Sequence, residues 1–421
     1  MEGKQKNIVV VGASFAGILQ SHCIMKHVIP KFPSHHLVLI NPSPDFFWVV
    51  GAPRAAIDDK MVPDEKVFLK IADGFKQYSS DRYTLITGTA TGIDTEQRIV
   101  QYRTEKGIEE VPYHALLLAT GGKTPSPLFS PFPSTEQTRE AMRVFREALP
   151  QARSIVIGGG GACAVEIGGE IGDFLNTAAR RFAATPTNLK AKITLVTKGT
   201  KLLPTLSTAA ATQAEKYLNR VGANVVYGRK VIETVPQNAG RTIETLVAIK
   251  GEKVKIHLDD GEVLEADIFI PAFHGKPSTS YVPQHLLTDT NHIKTNPSTL
   301  RVDDAGPRVF AIGECSSAFG GASMHIVDQT KVITTNLKRD LRAFVDGKER
   351  PDTGRDRIYE QYTKPSQFVP IGRSKGVGQL FGWWLPSWVV WILKGRTYMV
   401  GITHWYTAGD MVKKEDVWKY E

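Results

Sequence analysis

Short apolar runs that end in a glycine-rich turn are the dominant pattern along this chain. Ile8–Val11 is the first such run, and the turn GASFAG follows it at residues 12–17. Ser154–Ile157 is the second, and GGGGACA follows it at residues 158–164. An uninterrupted, largely apolar run of this length before glycine predicts a strand that is buried on both faces and turns into a helix.

The elements behind each turn come in the same order, so we interpret the chain as two copies of one plan. In the first copy a hairpin turns at 105–107, and the apolar strand Ala115–Leu118 ends at another glycine turn. In the second copy a hairpin turns at 259–261, and an apolar strand over 267–270 ends near Gly275. Two copies of a strand, turn and helix predict an α/β fold that binds two nucleotides.

The distribution of proline and tryptophan indicates where the two copies are separated and where they end. Thr124–Pro133 holds four prolines and is predicted to be a linker, because proline cannot donate within a central sheet. A third landmark, VFAIGE at 309–314, precedes a stretch predicted to be helical through Leu337. The sequence RPDTG at 350–354 is a further break, and six of the seven tryptophans lie beyond it.

Composition places the chain among folded proteins and excludes several classes. Its 421 residues are 42% apolar and 23% charged, which is unlike a disordered or a polytopic membrane chain. Three cysteines without a C-x-x-C pair provide no disulfide framework, no metal site and no redox dithiol, so we expect a reducing compartment. The first strand starts too early for a cleavable leader, and Glu2 before Gly3 excludes myristoylation. The net charge of +9 favours anionic partners.

The first turn fits a dinucleotide site with two departures. A G-x-G-x-x-G turn presents amides at a helix N-terminus to a pyrophosphate, and here Ser14 replaces the middle glycine. Asn41 stands at the end of the next strand, where an acid usually accepts from the ribose, so we expect a weakened ribose contact. Arg54 has two open interpretations, a phosphate or flavin contact and a solvated surface arginine.

The second turn keeps the G-x-G-x-x-A pattern with Gly159, Gly161 and Ala164. Glu166, in the helix behind it, is predicted to face the nicotinamide side of the crevice, and the alternative is a solvated helical glutamate. Thr197 and Lys198 follow the next strand without an acid for a free ribose 2′-hydroxyl, so NADPH is expected at least as readily as NADH.

These turns, the ATGG sequence at 119–122, the Gly313-Glu314 turn and the segment IGRSKGVGQLFG at 371–382 resemble a known family. The chain is similar throughout to the FAD-dependent pyridine nucleotide-disulfide oxidoreductases, in the branch of apoptosis-inducing factor and ferroptosis suppressor protein (AMID). That resemblance implies two Rossmann-like dinucleotide-binding domains of the glutathione-reductase-like type with a C-terminal α+β cap. The implied boundaries are 1–122 with 277–350 for FAD, 123–276 for NAD(P)H and 351–421 for the cap.

The resemblance also assigns roles to residues. Glu314 would hold the ribityl chain, and the helix after Ser323 would aim at the flavin, with His325 and Gln329 near the ring. Glu166 would position the nicotinamide, and Lys123 would tune the flavin. One departure is Ala272-Phe273-His274, where relatives often have Ala-Thr-Gly, and the bulky pair could narrow the nicotinamide path or reshape the substrate pocket. The full set expected to bind the two cofactors is Gly12, Ser14, Phe15, Ala16, Gly17, Asn41, Arg54, Ala119, Thr120, Gly121, Gly159, Gly161, Ala164, Thr197, Lys198, Gly313 and Glu314.

The family and the cysteines together indicate the reaction. Cys315 lies next to Glu314 but has no partner at dithiol spacing, so we interpret it as a buried structural thiol. The acceptor must then meet the flavin directly, and a quinone does so. The hypothesis is an FAD-dependent NAD(P)H:quinone oxidoreductase. Two alternatives stay open: a flavin-dependent tailoring enzyme of secondary metabolism, and an effector that binds nucleic acid, against which the mild charge bias argues.

The tail combines aromatic and basic residues. Residues 361–409 contain no Asp or Glu, and the apolar stretch Leu380–Leu393 is too short to span a bilayer and contains Pro386. It is predicted either to sit in a membrane interface or to pack on the flavin domain or a dimer partner. We expect a cytoplasmic protein that is a monomer or a homodimer. If the tail sits in a membrane interface, the protein would contact the cytosolic face of a membrane peripherally.

Overall fold

The computed structural model describes residues 6–130, 134–176, 189–248, 251–273, 275–320, 324–351 and 354–420. His274, Ser323 and part of the predicted proline linker therefore lie outside the described residues. The strands, in chain order, are β1 (Lys6–Val11), β2 (His35–Asn41), β3 (Asp45–Phe47), β4 (Phe68–Lys70), β5 (Tyr83–Thr87), β6 (Thr89–Asp94), β7 (Ile99–Thr104), β8 (Gly107–Pro112), β9 (Ala115–Leu118), β10 (Gly122–Lys123), β11 (Ser154–Gly158), β12 (Lys192–Thr197), β13 (Ala223–Tyr227), β14 (Val231–Val235), β15 (Val254–Leu258), β16 (Val263–Ala266), β17 (Ile268–Pro271), β18 (Lys276–Pro277), β19 (Val309–Ala311), β20 (Gln367–Ile371), β21 (Lys375–Leu380) and β22 (Trp383–Trp384).

A helix follows each of the two glycine turns, as the sequence predicts. The α-helices are α1 (Phe15–Cys23), α2 (Ala52–Ala55), α3 (Asp64–Val67), α4 (Ile71–Phe75), α5 (Thr135–Ala148), α6 (Ala162–Asn176), α7 (Thr208–Arg220), α8 (Met324–Val345), α9 (Ser387–Val390) and α10 (Thr403–Thr407). A π-helical turn, Ile24–Val28, extends α1, and another, Trp391–Gly395, extends α9.

Two parallel sheets form the frame. The first has the strand order β19-β9-β1-β2-β5, and the second has the order β13-β12-β11-β17. In the first sheet Val11 lies opposite Leu118, and Leu118 lies opposite Ala311, so the carboxyl ends of three strands meet at one edge. The inner strands β1, β9 and β11 are buried on both faces along their Val, Ile and Leu residues, whereas the edge strands β5 and β13 are partly exposed.

Each parallel sheet carries an antiparallel three-stranded sheet, and both predicted hairpins are confirmed. The strands β7 and β8 pair with Thr104 opposite Gly107, and β15 and β16 pair with His257 opposite Val263. The predicted strand at 115–118 is also confirmed, as β9, and the landmark at 309–314 contains the strand β19. The first sheet draws on 6–118 and 309–311 and the second on 154–271, while the domain boundaries at 122, 276 and 350 stay predictions.

The C-terminal cap has the predicted α+β character. Its antiparallel sheet, β20-β21-β22, packs β20 against α6. The chain then returns to the first sheet, where residues 403–416 lie across α1 and α8. Thr407 O bonds His22 Nε2 at 2.7 Å, Val412 O bonds His27 Nε2 at 2.8 Å, and the Glu415 carboxylate accepts from Lys338 Nζ at 2.6 Å. We call residues 403–416 the strap.

Candidate cofactor and substrate site

The first glycine turn is closely packed. A Cβ on Gly17 would lie 1.8 Å from Gly12 O, and a Cβ on Gly12 would lie 2.5 Å from Ala119 O. Gly12 also has φ +100°, which L side chains rarely adopt. Of residues 11–17 only Ser14 is exposed, at the N-terminus of α1. The turn therefore presents one short polar residue to a ligand and keeps the rest in the core.

The side chains of Phe15 and Asn41 serve this turn from inside the protein. The Phe15 ring packs between Phe46, Trp48 and Tyr406, with ring centres 5.1 to 5.4 Å apart, so only its backbone could meet a cofactor. Asn41 Oδ1 accepts from Ala13 N at 2.9 Å, and its Nδ2 donates to Ser43 O at 2.7 Å. The Asn41 amide thus fixes the turn, and the expected ribose contact stays a prediction.

Three loops converge at the carboxyl edge of the first sheet. A Cβ on Gly122 would lie 2.7 Å from Glu314 Cδ, so the Glu314 carboxylate lies against the 119–122 turn. Thr120 Oγ1 donates to Ser278 O at 2.7 Å, and Gly121, with φ +63°, has open space at its Cβ position. The structure therefore brings the turn at 12–17, the turn at 119–122 and Glu314 together, as the sequence predicts.

His325 and Gln329 lie on α8 beside the same edge. Gln329 Oε1 accepts from Gly313 N at 3.3 Å, and its Nε2 donates to Ala318 O at 3.1 Å. Gln329 therefore joins the backbone at Gly313 to the backbone at Ala318. Its predicted place near the flavin ring stays a prediction. His325 is buried, and burial lowers the pKa of its imidazole. Burial likewise lowers the pKa of the Lys123 ammonium at the end of β10.

The second glycine turn is more open than the first. Residues 159–163 are all partly exposed, and a Cβ on Gly161 would meet no atom within 4 Å. Ala164 is buried under the turn. Thr197 Oγ1 accepts from Gly199 N at 3.2 Å, while Lys198 is exposed beside it. This cradle leaves room along the backbone for a pyrophosphate. The predicted contact of Lys198 with the adenosine end of the coenzyme stays a prediction.

Arg54 corrects both interpretations made from the sequence. Its side chain is only 2% exposed, so it is not a solvated arginine. Its Nε and Nη2 donate to the two carboxylate oxygens of Glu170 at 2.9 and 2.6 Å, and Nη1 donates to Gly395 O at 2.6 Å. The expected phosphate contact is therefore wrong, because the guanidinium joins α2, α6 and the cap. Tyr398 OH completes this junction by donating to Glu170 Oε1 at 3.1 Å.

Glu166 is neither solvated nor unpaired. Its carboxylate is buried and accepts from Lys394 Nζ at 2.6 Å, and Lys394 belongs to the π-helical turn of the cap. Burial raises the pKa of Glu166, and the Lys394 ammonium offsets part of that rise. The sequence analysis missed Lys394 as Glu166's partner.

One face of α6 carries three carboxylates toward the cap. Glu166, Glu170 and Asp173 recur at helical spacing, and Asp173 Oδ2 accepts from Arg373 N at 2.8 Å. The acid-free tail was visible in the sequence, and matching it to this acidic helix face would have identified Lys394. The helix that opens at the second glycine turn is therefore bound directly to the cap.

Cys315 is buried, as the sequence predicts for a structural thiol. Cys23 and Cys315 are buried and Cys163 is partly exposed, and all three are free thiols. Burial raises the pKa of Cys23 to about 12 and also raises that of Cys315. In the described part of the chain no cluster of His, Cys, Asp or Glu could hold a metal ion.

The aromatic tail divides into an inner and an outer face. Val390 and Tyr398 are fully buried, whereas Trp383 is 78% exposed and Trp388 is 65% exposed. We call the outer face the aromatic patch; it consists of Phe381, Trp383, Trp384, Trp388, Ile392 and Leu393. No helix among the described residues is long and apolar enough to cross a membrane.

The comparison with known families defines the class of this protein. Residues 6–335 match the family described as pyridine nucleotide-disulphide oxidoreductase, and the chain belongs to that family. Members of this family bind FAD and a pyridine nucleotide, and the two cradles described above fit those groups, since Gly121 and Gly161 leave backbone open where a side chain would fill it. The chain is therefore an FAD-dependent NAD(P)H oxidoreductase.

Individual relatives place it within the family. The chain is 38% identical to "Oxidoreductase phnG" of Penicillium herquei over 411 residues, which covers 96% of this chain and 95% of the relative. It is 23% identical to human ferroptosis suppressor protein 1 over 417 residues, covering 97% of each. It is also 23% identical to apoptosis-inducing factor homolog B of Dictyostelium discoideum over 322 residues, 75% of this chain and 76% of that protein. The expected branch is confirmed.

A solved structure confirms the fold. The sulfide:quinone oxidoreductase of Aquifex aeolicus superimposes with a TM-score of 0.64, covering 96% of this chain and 91% of that one, at 15% identity. At that identity the likeness describes architecture alone. The predicted fold class, α/β with parallel sheets in an FAD- and NAD-binding flavoprotein, is thus confirmed.

Proposed function

We propose that this protein passes electrons from NAD(P)H through FAD to a flat, lipophilic acceptor of the quinone type, which arrives from the side of the cap. The observation that carries the proposal is the position of one short turn. Lys394 reaches inward to Glu166, while its neighbour Leu393 is 43% exposed in the aromatic patch. One π-helical turn of the cap therefore carries both an exposed apolar side chain of the aromatic patch and the cation that pairs with Glu166.

The thiols support direct contact between acceptor and flavin. Cys315 Sγ lies 3.4 Å from Ile312 O and 3.5 Å from Leu118 O, inside the first sheet, and the other two cysteines lie on α1 and α6. None of them can relay electrons as a dithiol. When bound, FAD supplies the hydride acceptance and the electron transfer, and the protein orients and shields the reactants.

Glu166 and Lys394 are proposed to position the nicotinamide and to hold a proton beside it. Lys394 Nζ donates to the Glu166 carboxylate at 2.6 Å and so fixes its orientation, and we assign to this pair the delivery of a proton to the reduced quinone. The buried Arg54–Glu170 pair, one turn along α6, keeps the cap in contact with the helix.

The central experiment is anaerobic reduction of the flavin, followed by addition of a quinone. We expect NADH or NADPH to bleach the flavin absorbance and a quinone to restore it. Glu166→Ala and Lys394→Met should slow bleaching at least tenfold and leave FAD bound, while Lys375→Met, elsewhere in the basic tail, should not. Bleaching that no quinone reverses would contradict the acceptor, and unchanged bleaching in both variants would remove the pair from the mechanism.

We also propose peripheral membrane contact through the aromatic patch. Support comes from the exposed tryptophans and from exposed Lys364, Arg373 and Arg396 around them, which suit the headgroup region of anionic lipid. Trp383→Ser with Trp388→Ser should reduce sedimentation with anionic vesicles, whereas Ile108→Ser, an equally exposed apolar residue on the β7–β8 hairpin, should not. Equal sedimentation of both variants would reject the patch as a lipid contact.

A second candidate is a flavin-dependent tailoring enzyme of secondary metabolism, and Phe273 favours it. The Phe273 ring lies against Gly158, where a Cβ would be 3.1 Å away, and the Arg241 guanidinium lies 5.8 Å from the ring centre. A cavity of about 160 Å³ is lined by both residues. Identifying the products of turnover with NAD(P)H separates the candidates, because a quinone reductase returns only the hydroquinone.

A further inference from the structure

The edge of the first sheet opposite the cofactor loops holds a group of cations. Lys6 begins β1, His114 immediately precedes β9, and Arg308 immediately precedes β19. These strands are parallel neighbours, so their amino ends lie side by side. At about 3.3 Å per residue, the six residues of β1 put this edge roughly 20 Å from Gly12.

One exposed ring brings the three side chains together. The centre of the Phe344 ring lies 4.7 Å from Lys6 Nζ, 4.8 Å from Arg308 Cζ and 4.4 Å from the His114 ring centre. Phe344 itself is 38% exposed near the end of α8. Two cations and an imidazole therefore surround one solvent-accessible aromatic surface.

The buried Arg308 guanidinium makes few hydrogen bonds within the described chain. It is 5% exposed, and its Nε donates to His114 O at 3.0 Å, but no hydrogen bond within the described chain engages its Nη1 or Nη2. Arg98 approaches the same carbonyl, donating from Nη2 at 2.8 Å. Burial, together with the positive charge of Arg98, lowers the pKa of Arg308 to about 10.

No carboxylate of the described residues pairs with this group of cations. None of these carboxylates lies within ion-pair distance of Lys6, Arg98 or Arg308, and Asp340, a buried acid that acts on Arg308, is bound to Arg301 at 2.7 Å. The exposed Glu349 acts on Arg308 only at longer range. Clustered, partly desolvated cations are unfavourable unless an anion joins them.

Two histidines, His35 and His114, lie beside these cations. His114 Nδ1 and His35 Nε2 share a hydrogen bond of 2.9 Å, while His114 Nε2 is buried with no partner in the described chain. The pair remains neutral because burial and the surrounding cations lower the pKa of His35 to about 4 and of His114 to about 3. A bound anion would reverse the sign of that field.

We propose that Lys6, Arg308 and His114 form a binding site for a phosphate-type oxyanion, carried by a phosphate monoester or by a phospholipid headgroup. The free Nη1 and Nη2 of Arg308 suit bidentate recognition of two oxygens, and Lys6 adds a point charge. Phe344 offers an apolar surface to the carbon side of an ester. Occupancy joins the starts of three strands whose far ends carry Gly12, Ala119 and Gly313, so the anion stabilises the flavin-binding sheet from behind.

The test uses the flavin-containing full chain. Thermal unfolding is followed with inorganic phosphate, glycerol 3-phosphate and chloride at equal ionic strength, and affinity is measured by calorimetry. We expect the two phosphates to raise the unfolding temperature above the chloride value. Lys6→Glu and Arg308→Gln should each weaken phosphate binding at least tenfold, whereas Lys106→Glu, an equal charge change on an exposed hairpin, should not.

Vesicles of phosphatidylcholine with and without phosphatidic acid separate the two sources. Sedimentation that requires phosphatidic acid and is lost in Lys6→Glu but kept in Lys106→Glu assigns a lipid headgroup. A response to glycerol 3-phosphate with no such difference in sedimentation assigns a soluble ester. Equal responses to phosphate and chloride in the unmodified protein overturn the proposal, as does an undiminished phosphate response in Lys6→Glu.

Discussion

The two dinucleotide cradles follow one plan but are packed in opposite ways. In the first, the turn is buried apart from Ser14, Gly17 touches Gly12, and every residue of α1 is buried. In the second, residues 159–163 are partly exposed, and Gly161 faces open space. A sealed cradle suits a group that stays bound through many turnovers, and an open one suits a substrate that must leave after each.

The surroundings reinforce this difference. The strap covers α1 from behind, so the first cradle is closed on the side away from its turn. The second helix, α6, is instead bound along one face to the cap through Glu166, Glu170 and Asp173. The same supersecondary unit is thus enclosed in the first copy and joined to the cap in the second.

The largest predicted difference comes from replacing one glycine in each turn with alanine. The two positions are Gly17, the last glycine of the first turn, and Gly161, the middle glycine of the second. Gly17→Ala puts a methyl group 1.8 Å from Gly12 O, so the helix must separate from the turn and FAD should be lost. Gly161→Ala has room, so the protein should remain yellow with an unchanged unfolding temperature, while its KM for NAD(P)H rises about tenfold as the methyl group meets the pyrophosphate. Flavin absorbance and steady-state kinetics check both, and FAD retained by Gly17→Ala would break the comparison.

Acid should act mainly on the first sheet. Burial lowers the pKa of His22 from 6.5 to about 4, with similar shifts at His35 and His114, whereas residues 154–271 contain one histidine, His257. Below pH 6.5 these histidines are protonated in the unfolded chain but stay neutral in the native protein. The free energy of unfolding is therefore highest above pH 6.5 and falls as the pH drops toward 4. His22 alone contributes on the order of 3 kcal/mol across that range.

Urea unfolding at pH 7.5 and at pH 5 measures this loss, with flavin fluorescence reporting the first sheet. His22→Gln should be less stable at pH 7.5 but show a flatter dependence on pH. An identical slope in the variant would mean that His22 is not the titrating group.

Coenzyme preference probes the adenosine end of the open cradle. Lys198 is exposed after β12, and Thr197 stands where an acid would accept from a free ribose. Lys198→Glu should lower kcat/KM for NADPH relative to NADH about tenfold, because a carboxylate repels a 2′-phosphate. Lys192→Glu, at the opposite end of β12, is the matched control and should leave the ratio unchanged.

The smallest predicted effect compares two side-chain caps. Asn41→Ala removes the acceptor of Ala13 N in the first turn, and Thr197→Ala removes the acceptor of Gly199 N in the second. Each hydrogen bond is worth about 1 kcal/mol. Asn41→Ala should weaken FAD binding several-fold and leave the KM for NAD(P)H unchanged, and Thr197→Ala should do the reverse. Fluorescence titration of the apoprotein with FAD measures the first effect.

Local signals made much of the architecture predictable. Glycine with a positive φ at positions 12 and 159, and the Asp-Gly turn at 260–261, are fixed by the backbone conformation alone. The apolar strands follow from burial on both faces. Each of these features depends on residues that are close in sequence, so a single chain suffices to find them.

The site was less predictable because its key pairs span hundreds of residues. Arg54 meets Glu170 and Gly395, and Lys394 meets Glu166, 228 positions away. Nothing near Arg54 in sequence distinguishes a phosphate ligand from a buried structural cation. That choice depends on the tertiary partners, and here they occupy all three guanidinium nitrogens.

The strap has a consequence for how the protein is made. Helix α1 (Phe15–Cys23) is translated before the strand β19 that completes its sheet and before the residues 403–416 that cover it. During translation the nascent amino-terminal half therefore exposes an unfinished apolar sheet edge. The first sheet is therefore complete only once β19 has been translated, and the strap can cover α1 only after that.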